Sequence, residues 1–340
     1  MRILLVVALG LSALGCGAED ESATAGFDPC WCNFRDDSRN PLIEAPSTNV
    51  IGDPTYLRPE EAPDGLWHLF AYTPAGIYGF RSENGIHWTP DDAPIALGFR
   101  PFVFVDAGSY HLFYQRYDTP QSSHLEVIVS QDLVTWTPPD SVLPTSLPFE
   151  KELSQGVVSN PFVERRDAEY WLYYSADQGL LKDSGVYEPR HLSFATASEL
   201  HGPYTKHGTP IWSPSDADPW FNLGIGSLKV FAEPWQGKRI AFANGLYAEP
   251  DGTTHSAIHL VASEDGVSWQ KLCSEPILAP SGKADWKRAY VYAFDAKRVK
   301  NEIWLYYNAR DGWAAATERL GLARLRLSEN LDDMAVCGAN

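Results

Sequence analysis

The sequence predicts an all-β fold, a single five-bladed β-propeller, and three observations support this prediction. Segments typical of aromatic β-strands recur along the chain, and a serine-containing turn follows each of them. No stretch has the length and spacing of a long amphipathic helix. Short strands and turns repeated in five units are typical of propeller blades, because each small sheet buries its faces only against its neighbours.

The aromatic strands give the repeat its period. Hairpin-forming sequences such as Asp106–Ser109 and Gln236–Lys238 precede them. We predict that each strand packs between neighbouring blades. The five segments are Trp67–Tyr72, His111–Gln115, Tyr170–Tyr174, Arg239–Ala243 and Ile303–Tyr307.

The serine turns mark the end of the third strand of each unit. Three of them place a tryptophan six residues after the serine, at Ser82, Ser130 and Ser263, and weaker versions begin at Ser198 and Ser328. These serines are 48 to 68 residues apart. We therefore predict an irregular segment over residues 17–47 and a propeller domain over 48–340, with blades at about 48–97, 98–147, 154–214, 222–280 and 284–335.

The first residues predict export. A basic start at Met1-Arg2 is followed by the apolar run Ile3–Leu14, which is too short to span a bilayer. Residues 1–16 are thus expected to be a signal peptide. Cys16 occupies the position of the acylated cysteine in bacterial lipoproteins, so the two alternatives are a lipid anchor on Cys16 and plain secretion. Both give an extracytoplasmic, bacterial protein whose only expected membrane contact is that lipid.

Composition narrows the set of partners. With a net charge of −17, the chain lacks the excess of basic residues that binding to phosphate groups requires, so no nucleic-acid partner is expected. Aromatic residues form 13 % of the chain. Most should fill the cores between sheets, and some should stack on sugar rings. We expect a monomer with carbohydrate as its partner and with no cofactor or metal.

The cysteines predict disulfides. Four remain after Cys16, at Cys30, Cys32, Cys273 and Cys337, and an even number in an exported protein favours pairing. Because the two ends of a propeller must be joined, we expect Cys337 to bond Cys30 or Cys32, and Cys273 to bond the other. Such a loop of about 300 residues would stabilise the fold by roughly 4–5 kcal/mol. Metal binding by Cys30 and Cys32 is the alternative, although no histidine pair lies nearby.

The serine turns also carry a family resemblance. The turn at Ser263 is similar to the aspartate box of six-bladed sialidases but has one residue fewer between Asp265 and Gly266. The turn Ser130-x-Asp132-Leu133-x-x-Trp136 instead resembles that of five-bladed glycosidases. Over about residues 48–335, the chain resembles the superfamily that includes glycoside hydrolase families 43, 62, 32, 68 and 117. This resemblance implies a central funnel lined by the innermost strands.

The resemblance to family 43 supplies one catalytic candidate. That family takes its base from an Asp-Pro step in the first blade, which Asp53-Pro54 matches. Its second acid corresponds to Phe102 here and its general acid to Ser159, and neither side chain can do that work. Glycoside hydrolysis generally requires two carboxyl groups, one of them protonated. The missing donor is therefore expected at Asp216, Asp218 or Glu152.

Other residues are expected in the funnel because of their place in the repeat. We expect Asp53, Arg100, Ser159, Ser227 and Arg288 to face one central channel. An arginine there would pair with an acid or hold an anionic sugar. Asn308 and Arg310 end the last aromatic strand. The expected substrate-binding set is Arg100, Phe102, Ser159, Asn160, Ser227, Trp286, Arg288 and Tyr290.

Three functions are compatible with these features. The first is a glycoside-hydrolase-like protein, similar to family 43, that cuts an extracytoplasmic glycan with Asp53 as the base. The second is a surface propeller that binds glycan without cutting it. The third is a structural or protein-interaction propeller, since one fold serves many functions. A second carboxyl group close to Asp53 would favour the first.

Overall fold

The computed structural model describes residues 29–46, 48–282 and 285–337. The expected signal peptide and Cys16 lie outside these ranges. Within them, the regular structure consists of β-strands and single 3-10 turns, with no α-helix. No helix in the described ranges has the length and apolar character needed to cross a membrane.

Twenty strands are present in the described residues. They are β1 (Arg35–Asp36), β2 (Gly52–Leu57), β3 (Trp67–Thr73), β4 (Gly76–Ser82), β5 (Thr89–Pro90), β6 (Phe99–Asp106), β7 (Ser109–Thr119), β8 (Ser122–Ser130), β9 (Asp140–Leu143), β10 (Val158–Arg166), β11 (Glu169–Leu181), β12 (Val186–Ala197), β13 (Thr205–Lys206), β14 (Gly224–Val230), β15 (Arg239–Ala248), β16 (Thr254–Ser263), β17 (Gln270–Lys271), β18 (Tyr290–Val299), β19 (Glu302–Arg310) and β20 (Glu318–Arg326).

The strands form small antiparallel sheets in chain order. Three four-stranded sheets comprise β2–β5, β6–β9 and β10–β13. An eight-stranded sheet combines β14–β17 with β18–β20 and β1, and a single parallel bridge between Ser256 and Tyr290 joins its two halves. The strands β2, β6, β10, β14 and β18 each contact the next, and β18 contacts β2. This closed ring of contacts is consistent with a β-propeller.

In chain order, the strands form five runs, which begin at β2, β6, β10, β14 and β18. The predicted aromatic segments lie in the second strand of each run, which is β3, β7, β11, β15 or β19. Their apolar side chains are buried between neighbouring sheets. Tyr56 of the first sheet, for example, packs edge-on against Tyr306 at 4.8 Å between ring centroids. Each fully buried large apolar side chain contributes about 1.5–3 kcal/mol relative to an exposed one, which holds adjacent sheets face to face.

The serine turns recur as one hydrogen-bonded motif. Ser263 ends β16, and its Oγ accepts a hydrogen bond from the Gly266 N–H at 2.7 Å. The Asp265 carboxylate accepts from the N–H groups of Val267 and Ser268, both at 2.8 Å, and these bonds lower the pKa of Asp265 to about 2. Trp269 covers the turn and donates from Nε1 to the Gly266 carbonyl. The repeated sequence therefore encodes a repeated turn.

The two ends of the chain meet at the last sheet. The N-terminal strand β1 pairs antiparallel with β20. Cys30 is bonded to Cys337 and Cys32 to Cys273. The predicted pairing of the N-terminal cysteines with Cys337 and Cys273 is confirmed. All four sulfurs are used in disulfides, so Cys30 and Cys32 do not form a metal site.

Candidate active site

A β-bulge interrupts the first strand of each run at the same point. The register with the second strand shifts between Gly52 and Thr55 in β2, and equivalent shifts occur in β6, β10, β14 and β18. A bulge turns its extra residues away from the regular alternation of faces. In every case at least one bulged residue lines one shared cavity.

Three of these bulges share an unusual backbone. Asp53, Arg100 and Asn160 each precede a proline and have φ angles of 51°, 51° and 48°. This left-handed conformation is disfavoured for residues with a side chain, and extended backbone is the norm before proline. Strain of this kind persists where surrounding structure imposes it and is concentrated at functional sites. All three residues line the cavity.

The cavity has a volume of about 590 Å³, within the range of small-molecule sites. Its floor contains Asp53, whose backbone N–H donates to Asn308 Oδ1 at 3.2 Å. Beneath it, the buried Lys229 ammonium contacts the Pro54 carbonyl. The whole lining consists of Asp53, Tyr72, Phe99, Arg100, Tyr117, Asp118, Thr119, Pro120, Asn160, Val186, Tyr187, Glu188, Gly226, Asn244, Tyr292, Ala293, Asn308 and Glu318.

Three carboxyl groups, one buried and two partly buried, meet in this cavity. Asp53 comes from β2, Glu188 from the start of β12 and Glu318 from the start of β20. Only 14 % of the Glu188 side chain and 8 % of the Glu318 side chain are exposed. Arg100 Nη2 lies 3.6 Å from Glu188 Oε2, and Arg310 Nε lies 3.9 Å from Glu318 Oε1. Each glutamate therefore has one guanidinium partner at long range.

Burial controls the protonation of these carboxyl groups. Loss of water raises the pKa of Glu188 to about 7, with Arg100 opposing and Asp53 adding to the rise. Loss of water also raises the pKa of Glu318 to about 8, with Arg310 opposing. Burial raises the pKa of Asp53 as well, but the cations of Arg100 and Lys229 both oppose it. The site thus combines proton-holding glutamates with an aspartate beside two cations.

One wall of the cavity is aromatic. The Phe99 ring lies between Tyr72, at 5.3 Å between centroids, and Tyr117, at 5.2 Å. Phe99 is half-buried, and all three residues belong to the lining. The Tyr117 hydroxyl accepts a hydrogen bond from Arg100 Nη1, which ties this wall to the charged groups. An aromatic wall facing carboxyl groups can bind the apolar face of a sugar while its hydroxyls are hydrogen-bonded.

The bulges correct part of the expected funnel lining. Asp53, Arg100 and Asn160 line the cavity, but Ser159 and Ser227 are buried beside the bulges, and their neighbours Asn160 and Gly226 take those places. A shift of one residue in a strand reverses the face on which a side chain lies. Arg100 pairs with Glu188, which supports the acid-pairing explanation of this arginine.

Two aromatic members of the expected set are core residues. Phe102 is buried and packs against Phe162 at 4.8 Å between centroids. Tyr290 is buried, and its hydroxyl shares a hydrogen bond with Thr254. Neither belongs to the cavity lining, because both follow the regular alternation of their strands rather than the bulge.

Trp286 and Arg288 lie elsewhere. β18 begins only at Tyr290, so these two residues precede the strand on which we expected them. They line a separate, more open pocket of about 580 Å³ together with Asp311 and Arg319, which form an ion pair at 3.1 Å. Tyr292 and Ala293, at the bulge of β18, are the residues of that strand that line the central cavity.

The expected proton donors are outside the cavity lining. Asp216 is exposed, and Asp218 forms an ion pair with Lys271 at 3.0 Å. Glu152 is exposed and pairs with Arg190 at 2.8 Å, an interaction that lowers its pKa. None of these three residues is among those that line the cavity. Besides Asp53, the carboxyl groups in the lining are those of Glu188, Glu318 and the more exposed Asp118.

Sequence reasoning missed both glutamates because it searched the innermost strands. Glu188 and Glu318 lie near the start of third strands, β12 and β20, rather than on the innermost strands. Hairpin pairing offered one signal. Arg310, already a funnel candidate, lies directly opposite Glu318 in the ladder between β19 and β20. A buried arginine at the end of a strand indicates an acid on its cross-strand partner.

One group outside the cavity has ligand types that suit a metal ion. It comprises Glu152, Asp177 and His191. Arg190 Nη1 lies 2.8 Å from Glu152 and 3.2 Å from Asp177, so a guanidinium already supplies the positive charge between these two carboxylates. One of the two negative charges is therefore balanced within the cluster by Arg190.

Comparison with known proteins gives a fold relationship. No protein-family model and no curated protein sequence matches the chain. Solved structures do match. The catalytic domain of the Coprinopsis cinerea family-62 α-L-arabinofuranosidase has a TM-score of 0.63 at 18 % identity, covering 86 % of this chain and 98 % of its own. A thermostable family-43 glycoside hydrolase has a TM-score of 0.57 at 16 % identity, covering 87 % and 96 %.

The chain has the fold of propeller-type glycoside hydrolases. The same fold also occurs with another activity. An N-acetylgalactosamine deacetylase from F. plautii, solved with blood group B trisaccharide, has a TM-score of 0.60 at 12 % identity and covers 88 % of this chain and 94 % of its own. At such identities the similarity establishes the fold and leaves the chemistry to the residues of the cavity.

Proposed function

We propose that this protein is a glycoside hydrolase that cuts a glycan in the central cavity, with Asp53 as the base and Glu188 as the proton donor. The observation that carries the proposal is the convergence of Asp53, Glu188 and Glu318 on one cavity with an aromatic wall. Hydrolysis of a glycosidic bond needs one ionised and one protonated carboxyl group. The neighbouring cations favour the ionised form of Asp53, and burial favours the protonated form of Glu188.

The choice of Glu188 over Glu318 rests on position. Burial raises the pKa of both carboxyl groups, so either can hold a proton near neutral pH. Glu188 adjoins Tyr187, which is 39 % exposed, whereas Glu318 is more deeply buried. A leaving group must depart through the open side, where Glu188 can protonate it. Glu318 and Arg310 then complete the charge balance of the cavity.

The proposed step transfers two protons. Glu188 gives its proton to the glycosidic oxygen as the bond between that oxygen and the anomeric carbon breaks. Asp53 takes a proton from the water that attacks the same carbon. Glu188 ends ionised and Asp53 protonated, and exchange with solvent restores both. Arg100, next to both carboxyl groups, stabilises whichever of them carries the charge.

We further propose the architecture and location in which this occurs. Five blades, family 43-like, would comprise β2–β5, β6–β9, β10–β13, β14–β17 and β18–β20 completed by β1, a division that the closed ring of inner-strand contacts supports. The two disulfides support an extracytoplasmic location, because such bonds persist in oxidising compartments. Export through residues 1–16, a lipid on Cys16 and a monomeric state complete the proposal.

Turnover of a panel of aryl glycosides and polysaccharides, with binding measured alongside, tests this function. Asp53→Asn should abolish turnover and leave the fold intact, because the change is nearly isosteric. Glu188→Gln should lower kcat about 10²- to 10⁴-fold on natural glycans. Dinitrophenyl glycosides, whose leaving group needs little protonation, should lose much less.

The matched control is Glu152→Gln, which alters an exposed carboxylate outside the cavity and should leave turnover unchanged. Binding of glycans without cleavage by the wild-type protein would contradict the hydrolase proposal and favour the glycan-binding propeller. Equal losses on natural and activated substrates in Glu188→Gln would contradict the donor role alone.

A further inference from the structure

The hairpin that carries Glu188 extends beyond its own sheet. β11 and β12 are 13 and 12 residues long, and the ladder between them continues to the pair Leu181 and Val186. Those two side chains pack against Ala289, Tyr290 and Tyr292, which belong to the last run of strands. The end of the hairpin therefore passes one side of the cavity and contacts the start of β18.

The side chain of Asp183 holds the hairpin there through two hydrogen bonds. The Asp183 carboxylate accepts hydrogen bonds from the Thr254 N–H at 2.8 Å and from the Thr254 hydroxyl at 2.7 Å. Thr254 is buried at the start of β16, and Trp313 Nε1 donates to its carbonyl at 2.7 Å. Hydrogen bonds to a carboxylate are stronger than hydrogen bonds between neutral groups. Asp183 is thus bound to a rigid part of the protein.

The base of the hairpin is also held closely. A Cβ atom on Gly224 would lie 2.1 Å from the Pro189 carbonyl oxygen, so only glycine allows β14 to approach the hairpin backbone beside Glu188. The segment of the hairpin between this contact and the Asp183 contact forms part of the cavity wall. We propose that Asp183 is a positioning residue that holds the β11–β12 hairpin across the cavity and thereby fixes Glu188 against Arg100. This rests on the proposed function of Glu188.

The proposal predicts a specific effect on Glu188. The titratable groups that interact with Glu188 from other strands are the charged groups Asp53, Arg100, Arg310 and Glu318 and the phenols Tyr72, Tyr290 and Tyr292. None of these residues lies on the β11–β12 hairpin. Once the hairpin is released, water would reach Glu188, and its pKa would fall from about 7 towards the usual 4.5. Activity that depends on the protonated form would be lost at lower pH.

The test compares Asp183→Ala and Asp183→Asn with the wild type. The matched control is Asp132→Ala, which removes an exposed carboxylate that also accepts two backbone hydrogen bonds, in a serine turn away from the cavity. Amide hydrogen exchange over residues 178–189 measures the hairpin, and the pH profile of kcat/KM measures Glu188. A carboxyl-carbon NMR titration, assigned with Glu188→Gln, measures the same pKa without any substrate.

In Asp183→Ala we expect exchange of the hairpin to rise at least about tenfold and the alkaline limb of the profile to move at least about one pH unit to acid. Asp183→Asn should lie between, because its amide oxygen still accepts from Thr254, and Asp132→Ala should match the wild type. Unchanged exchange, or faster exchange with an unmoved pKa of Glu188, overturns the proposal. If the wild type cleaves no glycoside, the proposed function fails, and the exchange and NMR titration still decide the role of Asp183.

Discussion

Ionisation of Glu188 should make the folded protein less stable at alkaline pH. The pKa of this carboxyl is about 7 in the fold, against an ordinary value of 4.5. The fold therefore binds the proton more tightly than the unfolded chain does. This stabilising contribution is complete below about pH 4.5 and is lost as the pH rises through 7. At about 1.4 kcal/mol per pH unit, and with some solvent access to the side chain, the loss is roughly 2–3 kcal/mol.

Glu188→Gln removes that contribution, because glutamine has no proton to lose. Urea unfolding, followed by tryptophan fluorescence with both disulfides intact, should be measured at pH 5 and pH 8.5. The wild type should lose roughly 2–3 kcal/mol more free energy of unfolding between these values than the variant does. Glu318, whose pKa is also raised, is present in both proteins, and because Glu188 adds to that rise the measured difference includes the coupling between the two carboxyl groups.

Asp132→Asn is the control for this measurement. Hydrogen bonds from the backbone N–H groups of Thr135 and Val134 lower the pKa of this exposed carboxyl, so it is ionised at both pH values and its removal should not alter the difference between them. An identical pH dependence in the wild type and Glu188→Gln would refute the reasoning, since it would mean that Glu188 is as well solvated in the fold as in the unfolded chain.

Two further predictions concern the seam and the aromatic wall. Replacing Cys30 and Cys337 by serine should lower the free energy of unfolding, measured by urea denaturation, by roughly 4 kcal/mol. The reason is that, with Cys32 still bonded to Cys273, the lost bond closes a loop of roughly 66 residues. A change below about 1 kcal/mol would contradict this prediction. Phe99→Ala should weaken sugar binding about three- to tenfold in calorimetry, since a stacked ring is lost. Phe104→Ala, which alters a half-buried phenylalanine of the same strand outside the cavity, should leave binding unchanged.

Position within the repeat determined much of the candidate site. Asp53, Arg100 and Asn160 could be found in the sequence because each precedes a proline at the start of its unit, and the cavity contains all three. Asn308 was found for a related reason, as the end of the last aromatic strand. A residue at a fixed place in a repeated unit reaches a fixed place in the fold, because each unit pairs its strands in the same way.

The sequence by itself determined the all-β character, the order of the strand groups and the joining of the chain ends by disulfides, because these depend on alternation, turn chemistry and the need to close the fold. Which of Cys30 and Cys32 bonds Cys337 was decided by the fold. Tertiary structure alone decided which side chains meet. A one-residue bulge exchanged Ser159 for Asn160 and Ser227 for Gly226, and a hairpin extended beyond its sheet brought Glu188 to the cavity. Both depend on packing between segments far apart in the chain. Local sequence patterns carry no record of that packing.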